Sequence, residues 1–173
     1  MSKISAVIIT LNEEQTIAMC LDSLQSVVDE VVVVDSFSTD KTVEICRSKG
    51  ATVYQREWQG YAATKNLGHE LATHNYILSI DADEVLSDTL KHSILAHKKH
   101  GLEGVYECKR LTNYCGKWIR HGGWYPDKKI RLFPKDRTEW TGQFVHETLT
   151  FAEDMPKTLL KGELLHYSFH TVR

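Results

Sequence analysis

The chain has 173 residues, a formal net charge of −2, 42% hydrophobic and 25% charged residues. That length gives one domain with room for a full core, and the even charge balance excludes a nucleic-acid polycation. No apolar run approaches the ~18 residues of a membrane span. Met1-Ser2-Lys3 leads into a run too short for a signal-peptide core. Cys20, Cys46, Cys108 and Cys115 form no Cys-x-x-Cys pair, which argues against zinc and disulfide frameworks and for a reducing compartment, the cytosol.

Ile4 to Ile9 and Val31 to Val34 are nearly continuous apolar runs, the signature of strands covered on both faces of a parallel sheet. Between them Ile17, Leu21, Leu24 and Val28 keep the spacing of one helical face, and Glu13 and Glu14 are expected in that helix's first turn. A second helix is expected from Thr39 to Lys49, ended by Gly50, then a strand from Ala51 to Tyr54. Gln55 to Gly60 reads as a loop, Tyr61 to Ala72 as a helix, and Tyr76 to Ile80 as a buried strand. The helix from Leu86 to His100 carries Lys98, Lys99 and His100 late, read as a solvated face at the negative end of its dipole. Ser87 or Asp88 is its natural cap. The alternation is that of a doubly wound α/β domain.

After Gly101 the texture changes. Val105 to Leu111, Lys129 to Phe133, Glu139 to Trp140, Val145 to Phe151 and Leu164 to Phe169 are rich in aromatic and β-branched residues and read as short strands or loops. We therefore divide the single domain 1–173 into a nucleotide-type half, 1–100, and a mixed half, 101–173.

The chemistry lies at the strand ends, the rim where doubly wound sheets bind ligands. Thr10, Asn12 and Glu13 follow the first strand, Asp35 to Asp40 the second, and Asp81-Ala82-Asp83-Glu84 the fourth. Clustered carboxylates at a sheet edge suit Mg²⁺ or Mn²⁺ bound together with a phosphate; the plain alternative is that they cap the next helix. Asp35 either accepts hydrogen bonds from a base or ribose or closes its own loop, and Asp40 is read as structural. Lys65 either faces a diphosphate or is a surface lysine. No Gly-x-Gly-x-x-Gly and no phosphate-loop motif is present, against a dinucleotide dehydrogenase or a P-loop ATPase.

VIITLNEE, VVVVDSFSTDKT, ATKNLG and ILSIDADE, in this order, resemble the inverting nucleotide-sugar glycosyltransferases of glycosyltransferase family 2. GGWYPDKKIRLFPK, FVHETL and LLHYSF are similar to a bacterial branch that includes lipopolysaccharide-core β-1,4-glucosyltransferases. The resemblance implies a GT-A fold, a Rossmann-like three-layer α/β/α sandwich with a mostly parallel central sheet and a mixed acceptor-side half. It also implies that a C-terminal part is missing, because that branch continues beyond the HYSF segment.

Carried over by the resemblance, Thr10, Asn12, Glu13 and Asp35 would line a uridine pocket. Lys65, Asp81 and Ala82 would lie near ribose and phosphate, and Asp83 would hold Mg²⁺ or Mn²⁺. Glu147 is the first choice and Asp127 the second for the base that takes the acceptor's proton; the structural reading of Glu147 is a salt bridge with Arg131. His166, and less so His146, is a candidate partner of metal or diphosphate. Lys128, Lys129 and Arg131 form a basic group fit for phosphate. Trp118, Trp124 and Tyr125 beside Gly122-Gly123 suit a sugar face or a lipid headgroup, hence peripheral contact with an inner membrane; core packing is an equal reading of Trp118. The expected partners are a UDP-sugar donor and a glycan or lipid-linked saccharide acceptor, with no nucleic acid. Two rival functions are a nucleotidyltransferase acting on a sugar phosphate and a non-catalytic nucleotide-sugar-binding module.

Overall fold

The structure, a computed structural model, describes residues 1–143 and 145–169. Phe144 of the FVHETL motif lies outside the described residues. Four parallel strands form the front of the main sheet in the order β3 (Thr52–Gln55), β2 (Glu30–Asp35), β1 (Ile4–Thr10), β4 (Tyr76–Ser79). The sheet continues as β8 (Asp127–Pro134), β6 (Val105–Tyr114), β11 (Lys157–Phe169) and β5 (Glu84–Leu86), with β7 (Lys117–Ile119) on β6. Here directions mix: β8 is antiparallel to both β4 and β6, β11 is parallel to β6, and β5 is antiparallel to β11. A separate hairpin joins β9 (Glu139–Thr141) to β10 (Thr148–Thr150).

β1 shows why its run is apolar on both faces. Ile4, Ala6 and Ile8 point into a core shared with α1 (Ile17–Leu24), α2 (Thr42–Ser48) and α4 (Asp88–His100). Val7 points the other way, into a core with Ile77, Phe133 and Trp140 that α3 (Tyr61–Leu71) and the β9–β10 hairpin cover. The result is three layers, α/β/α. Each fully buried Ile or Leu of this kind contributes about 1.5–3 kcal/mol.

Several expectations need correction. α1 begins at Ile17 with no acid in its first turn; Glu13 and Glu14 lie in the preceding turn, whose backbone Glu13 O accepts from Thr16 and Ile17. α4 begins at Asp88, capped by Ser87, whose Oγ accepts from Leu90 N; residues 84–86 form β5 instead. Lys98 is not on a solvated face. It is 5% exposed, and its ammonium donates to Val27 O at 3.0 Å and pairs with Asp29 at 2.7 Å. The segment from 145 contracts to Thr148–Thr150, and β11 extends back to Lys157.

Candidate active site

β1 and β2 run in register so that Thr10 pairs with Asp35 at their carboxyl ends. The Asp35 side chain is fully buried. It accepts from Thr10 Oγ1 at 2.8 Å, from Ser38 N at 2.8 Å, from the Ser38 hydroxyl and from Gln55 Nε2 at 3.3 Å. Asp35 therefore ties its own loop, through Ser38, to the neighbouring strands, through Thr10 and Gln55. Asp40 is structural too: its Oδ1 accepts from Thr42 N at 2.9 Å and its Oδ2 from Glu14 N at 3.2 Å.

Above Thr10 lies a cavity of about 610 Å³, walled by Thr10, Leu11, Glu13, Trp58, Tyr61 and Val145 among others. Trp58 and Tyr61 meet edge to face at 4.7 Å. Asn12, at φ 53°, tethers the rim: its N–H donates to Ser38 Oγ and its Oδ1 accepts from Thr39 N, both at 2.8 Å. Burial, followed by the Asp83 carboxylate, pushes the Glu13 acid up, which places Glu13 within the field of the acid cluster.

That cluster follows β4. One oxygen each of Asp81, Asp83 and Glu84 lies within 4.8 Å of the others. β5 decides how it is held. The β5–β11 ladder sets His166 opposite Glu84, and Tyr167 N donates to Asp83 O at 2.9 Å. His166 Nε2 thereby comes to 3.1 Å from Asp83 Oδ2, while its Nδ1 sits 3.3 Å from Thr112 Oγ1 of β6.

Asp81 and Glu84 turn instead to Arg131 of β8, whose Nη2 lies 3.5 Å from Asp81 and 2.9 Å from Glu84. One guanidinium faces two acids, Glu84 fully buried and Asp81 partly exposed on the cavity side. Burial works to raise Asp81, but Arg131 beside it, with Lys65 and Arg110 farther off, holds that carboxyl well below its usual range. Glu84, 0% exposed, goes the other way: burial drives it well above the carboxylate range and Arg131 offsets this only in part. Arg131 thus pairs with Glu84 and Asp81, not with Glu147. Ala82 is buried in the core, so only its backbone is open to a ligand.

Lys65 and Glu147 meet across a second cavity, of about 360 Å³, whose wall also includes Asp81, Arg110, Arg131 and Trp140. Lys65 Nζ is 2.7 Å from Glu147 Oε1 and 4.3 Å from the centre of the Trp140 ring. Asn66, next on α3, fixes Trp140 by two bonds, donating to its O at 2.8 Å and accepting from its N at 3.0 Å. Asp127 is more tightly held: Arg110 Nη2 and Nε approach it at 2.9 and 3.0 Å, and Lys129 at 3.5 Å. Lys128 and His146 are exposed. Trp118 is 38% exposed and packs edge to face on Tyr167 at 5.4 Å.

For a divalent cation the donor set fits. Oxygens from a carboxylate cluster with one imidazole suit Mn²⁺ or Mg²⁺. Asp83 and His166 are the pair left over once Arg131 has taken Asp81 and Glu84. Sequence reasoning counted Glu84 in the acid cluster without a role of its own, and it missed Arg110, Trp58 and Trp140. Glu84 and Arg110 gained their roles from strand pairing, and the aromatics had no local signal beyond being aromatic.

Among curated proteins, a Rickettsia typhi chain described as an uncharacterized glycosyltransferase is 35% identical over 97% of this chain and 61% of its own length. The chain thus spans about three fifths of that relative. The Rhizobium meliloti lipopolysaccharide core biosynthesis glycosyltransferase LpsC is 38% identical over 51% of this chain and 34% of its own. The S. aureus TarS 1-349 structure in complex with UDP-GlcNAc superposes with a TM-score of 0.68 over 99% of this chain and 59% of TarS at 20% identity, a likeness of fold. Mycobacterium tuberculosis glucosyl-3-phosphoglycerate synthase, solved with Mn²⁺, UDP and glucosyl-3-phosphoglycerate, is 28% identical over 65% of this chain and 44% of its own, with a TM-score of 0.52. Among the described residues no helix is long and apolar enough to cross a membrane. The family model for Glycosyl transferase family 2 matches residues 5–155, and with the GT-A fold and the acid cluster in place, the chain belongs to glycosyltransferase family 2.

Proposed function

We propose that this chain carries an inverting transfer of a hexose from a UDP-sugar, with UDP-glucose the first donor to test, to a hydroxyl of a cell-surface glycan or lipid-linked saccharide. In this reading 1–100 binds the nucleotide and 101–173 faces the acceptor. The observation that carries it is the 2.7 Å contact of Lys65 with Glu147, in a cavity that also holds Asp81, beside an Asp83 that meets His166.

The uracil and ribose would occupy the cavity of Thr10, Glu13, Trp58 and Tyr61, with the diphosphate reaching Lys65. Asp83 and His166 would hold a divalent cation, which supplies positive charge to the departing diphosphate. Glu147 takes the proton of the acceptor hydroxyl as that oxygen bonds to the anomeric carbon. The bond from this carbon to the β-phosphate oxygen breaks, and UDP leaves with the electron pair. Attack opposite the leaving group inverts the anomeric centre. Asp127, held by Arg110 and Lys129, is the second candidate for the base. Asp81 and Glu84, locked by Arg131, hold the loop in shape. Support for the surface-glycan class comes from the likeness to LpsC.

A screen of nucleotide sugars for slow hydrolysis tests this without an acceptor. Turnover of a UDP-hexose, raised by Mn²⁺ or Mg²⁺, is expected. Release of pyrophosphate from a nucleoside triphosphate and a sugar phosphate, with no UDP-hexose turned over, would replace it with nucleotidyl transfer.

A further inference from the structure

We infer that the acceptor is a saccharide of at least two rings, whose second ring, next to the reacting one, lies on Trp124 in a separate cavity. This rests on the glycosyl-transfer reading above. The cavity, of about 460 Å³, is walled by Arg110, Trp124, Asp127, His166 and Ser168 among others. It adjoins the Lys65–Glu147 cavity, since Arg110 forms part of both walls. It also touches the candidate cation site, since its His166 is the residue that meets Asp83.

The lining specifies a neutral, hydroxyl-rich ligand. Its one guanidinium is cancelled by its one carboxylate, Arg110 Nη2 lying 2.9 Å from Asp127 Oδ2, so no net charge asks for an anion. The same pair, 21% and 29% exposed, offers planar donors and acceptors that hydroxyls use in pairs. Trp124 supplies the apolar part. It is 47% exposed, set by a T-shaped contact with Tyr114 at 6.2 Å, and follows Gly122, whose φ of +65° fixes the turn, and Gly123, beside which a Cβ would meet nothing within 4 Å. An open aromatic face beside a few convergent polar groups is how a sugar ring, with its C–H face and hydroxyl rim, is held. By contrast, the adjoining cavity collects Lys65, Lys128, Lys129 and Arg131 around its acids, where a diphosphate belongs.

The test is a ¹H–¹⁵N titration of the tryptophan indoles of the whole chain, with the Trp124 signal assigned by Trp124→Phe. The probes are neutral disaccharides (cellobiose, maltose, lactose and gentiobiose), inorganic phosphate, and UDP with Mn²⁺. At least one disaccharide is expected to shift the Trp124 signal saturably while phosphate leaves it in place, and by calorimetry Trp124→Ala should bind that disaccharide about tenfold more weakly than the native chain. UDP binding with Mn²⁺ serves as the folding control for the variant. A Trp124 signal that no disaccharide moves, or that moves with phosphate instead, overturns the inference. Failure of UDP to bind with Mn²⁺ would instead overturn the donor reading.

Discussion

Lys65 on α3 and Glu147 ahead of β10, 82 residues apart in the chain, lie 2.7 Å from each other, and the Lys65 side chain is only 5% exposed. Its ammonium meets the Glu147 carboxylate on one side and the Trp140 ring, 4.3 Å from the ring centre, on another. The proposed base and the proposed diphosphate ligand are therefore held together before any donor arrives.

Replacing Glu147 by Gln should lower kcat for UDP-hexose turnover by about 10²- to 10⁴-fold, the usual worth of a positioned base, with the donor's KM little changed. Asp127→Asn should cost much less. Steady-state rates on the two variants settle which carboxylate takes the proton, and the reverse ranking would move that role to Asp127.

His69 gives a pH dependence of stability that is separate from catalysis. Burial, then the positive charges of Lys135 and Lys65, lowers its imidazole from 6.5 to about 4, and its ring packs on Phe133 at 5.4 Å. The unfolded chain therefore binds a proton that the folded one refuses between about pH 6.5 and 4. Its contribution is complete above about pH 6.5 and is lost as pH falls through that window, by up to about 3 kcal/mol. Urea unfolding at pH 7.5 and 5 should show this loss in the native chain and a smaller one in His69→Leu, whose Nε2 partner is not missed because none exists among the described residues. Equal losses in both chains would mean that His69 titrates normally.

Gly68 lets α3 lie against β1. A Cβ there would stand 2.3 Å from Val7 Cγ1, and Val7 is 2% exposed on a central strand. Gly68→Ala should cost about 1–3 kcal/mol by overpacking, although alanine is the better helix former by about 1 kcal/mol. Chemical denaturation decides; a stabilised variant would show that the two elements part freely.

Much of the front half was legible because its physics is local. The runs at Ile4 to Ile9 and Val31 to Val34 could be read as doubly covered strands, and the spacing of Ile17, Leu21 and Leu24 as a helical face. The back half was not, because its key contacts come from pairing between distant strands. Leu86 reads as the start of α4, yet residues 84–86 pair with β11, and this places His166 on Asp83. Local pattern suggested Glu147 with Arg131; the tertiary fold gives Glu147 to Lys65 and Arg131 to Glu84. Lys98 reads as a dipole partner in solvent until Asp29 and Val27 O are seen to bury it. Asp35 ends a strand at the binding rim, and its oxygens meet two donors of Ser38 in its own loop and one each from Thr10 and Gln55 on the neighbouring strands, the last two set by strand pairing.

In the proposed function Asp83, with His166, forms the cation-dependent part of a UDP site. Calorimetric titration of UDP with and without Mn²⁺, on the native chain and on Asp83→Ala, measures it directly. Mn²⁺ is expected to tighten UDP at least about tenfold, near 1.4 kcal/mol, and Asp83→Ala to abolish this gain while weak metal-free binding persists. UDP affinity that is unaffected by Mn²⁺, or a gain that survives in Asp83→Ala, would contradict it.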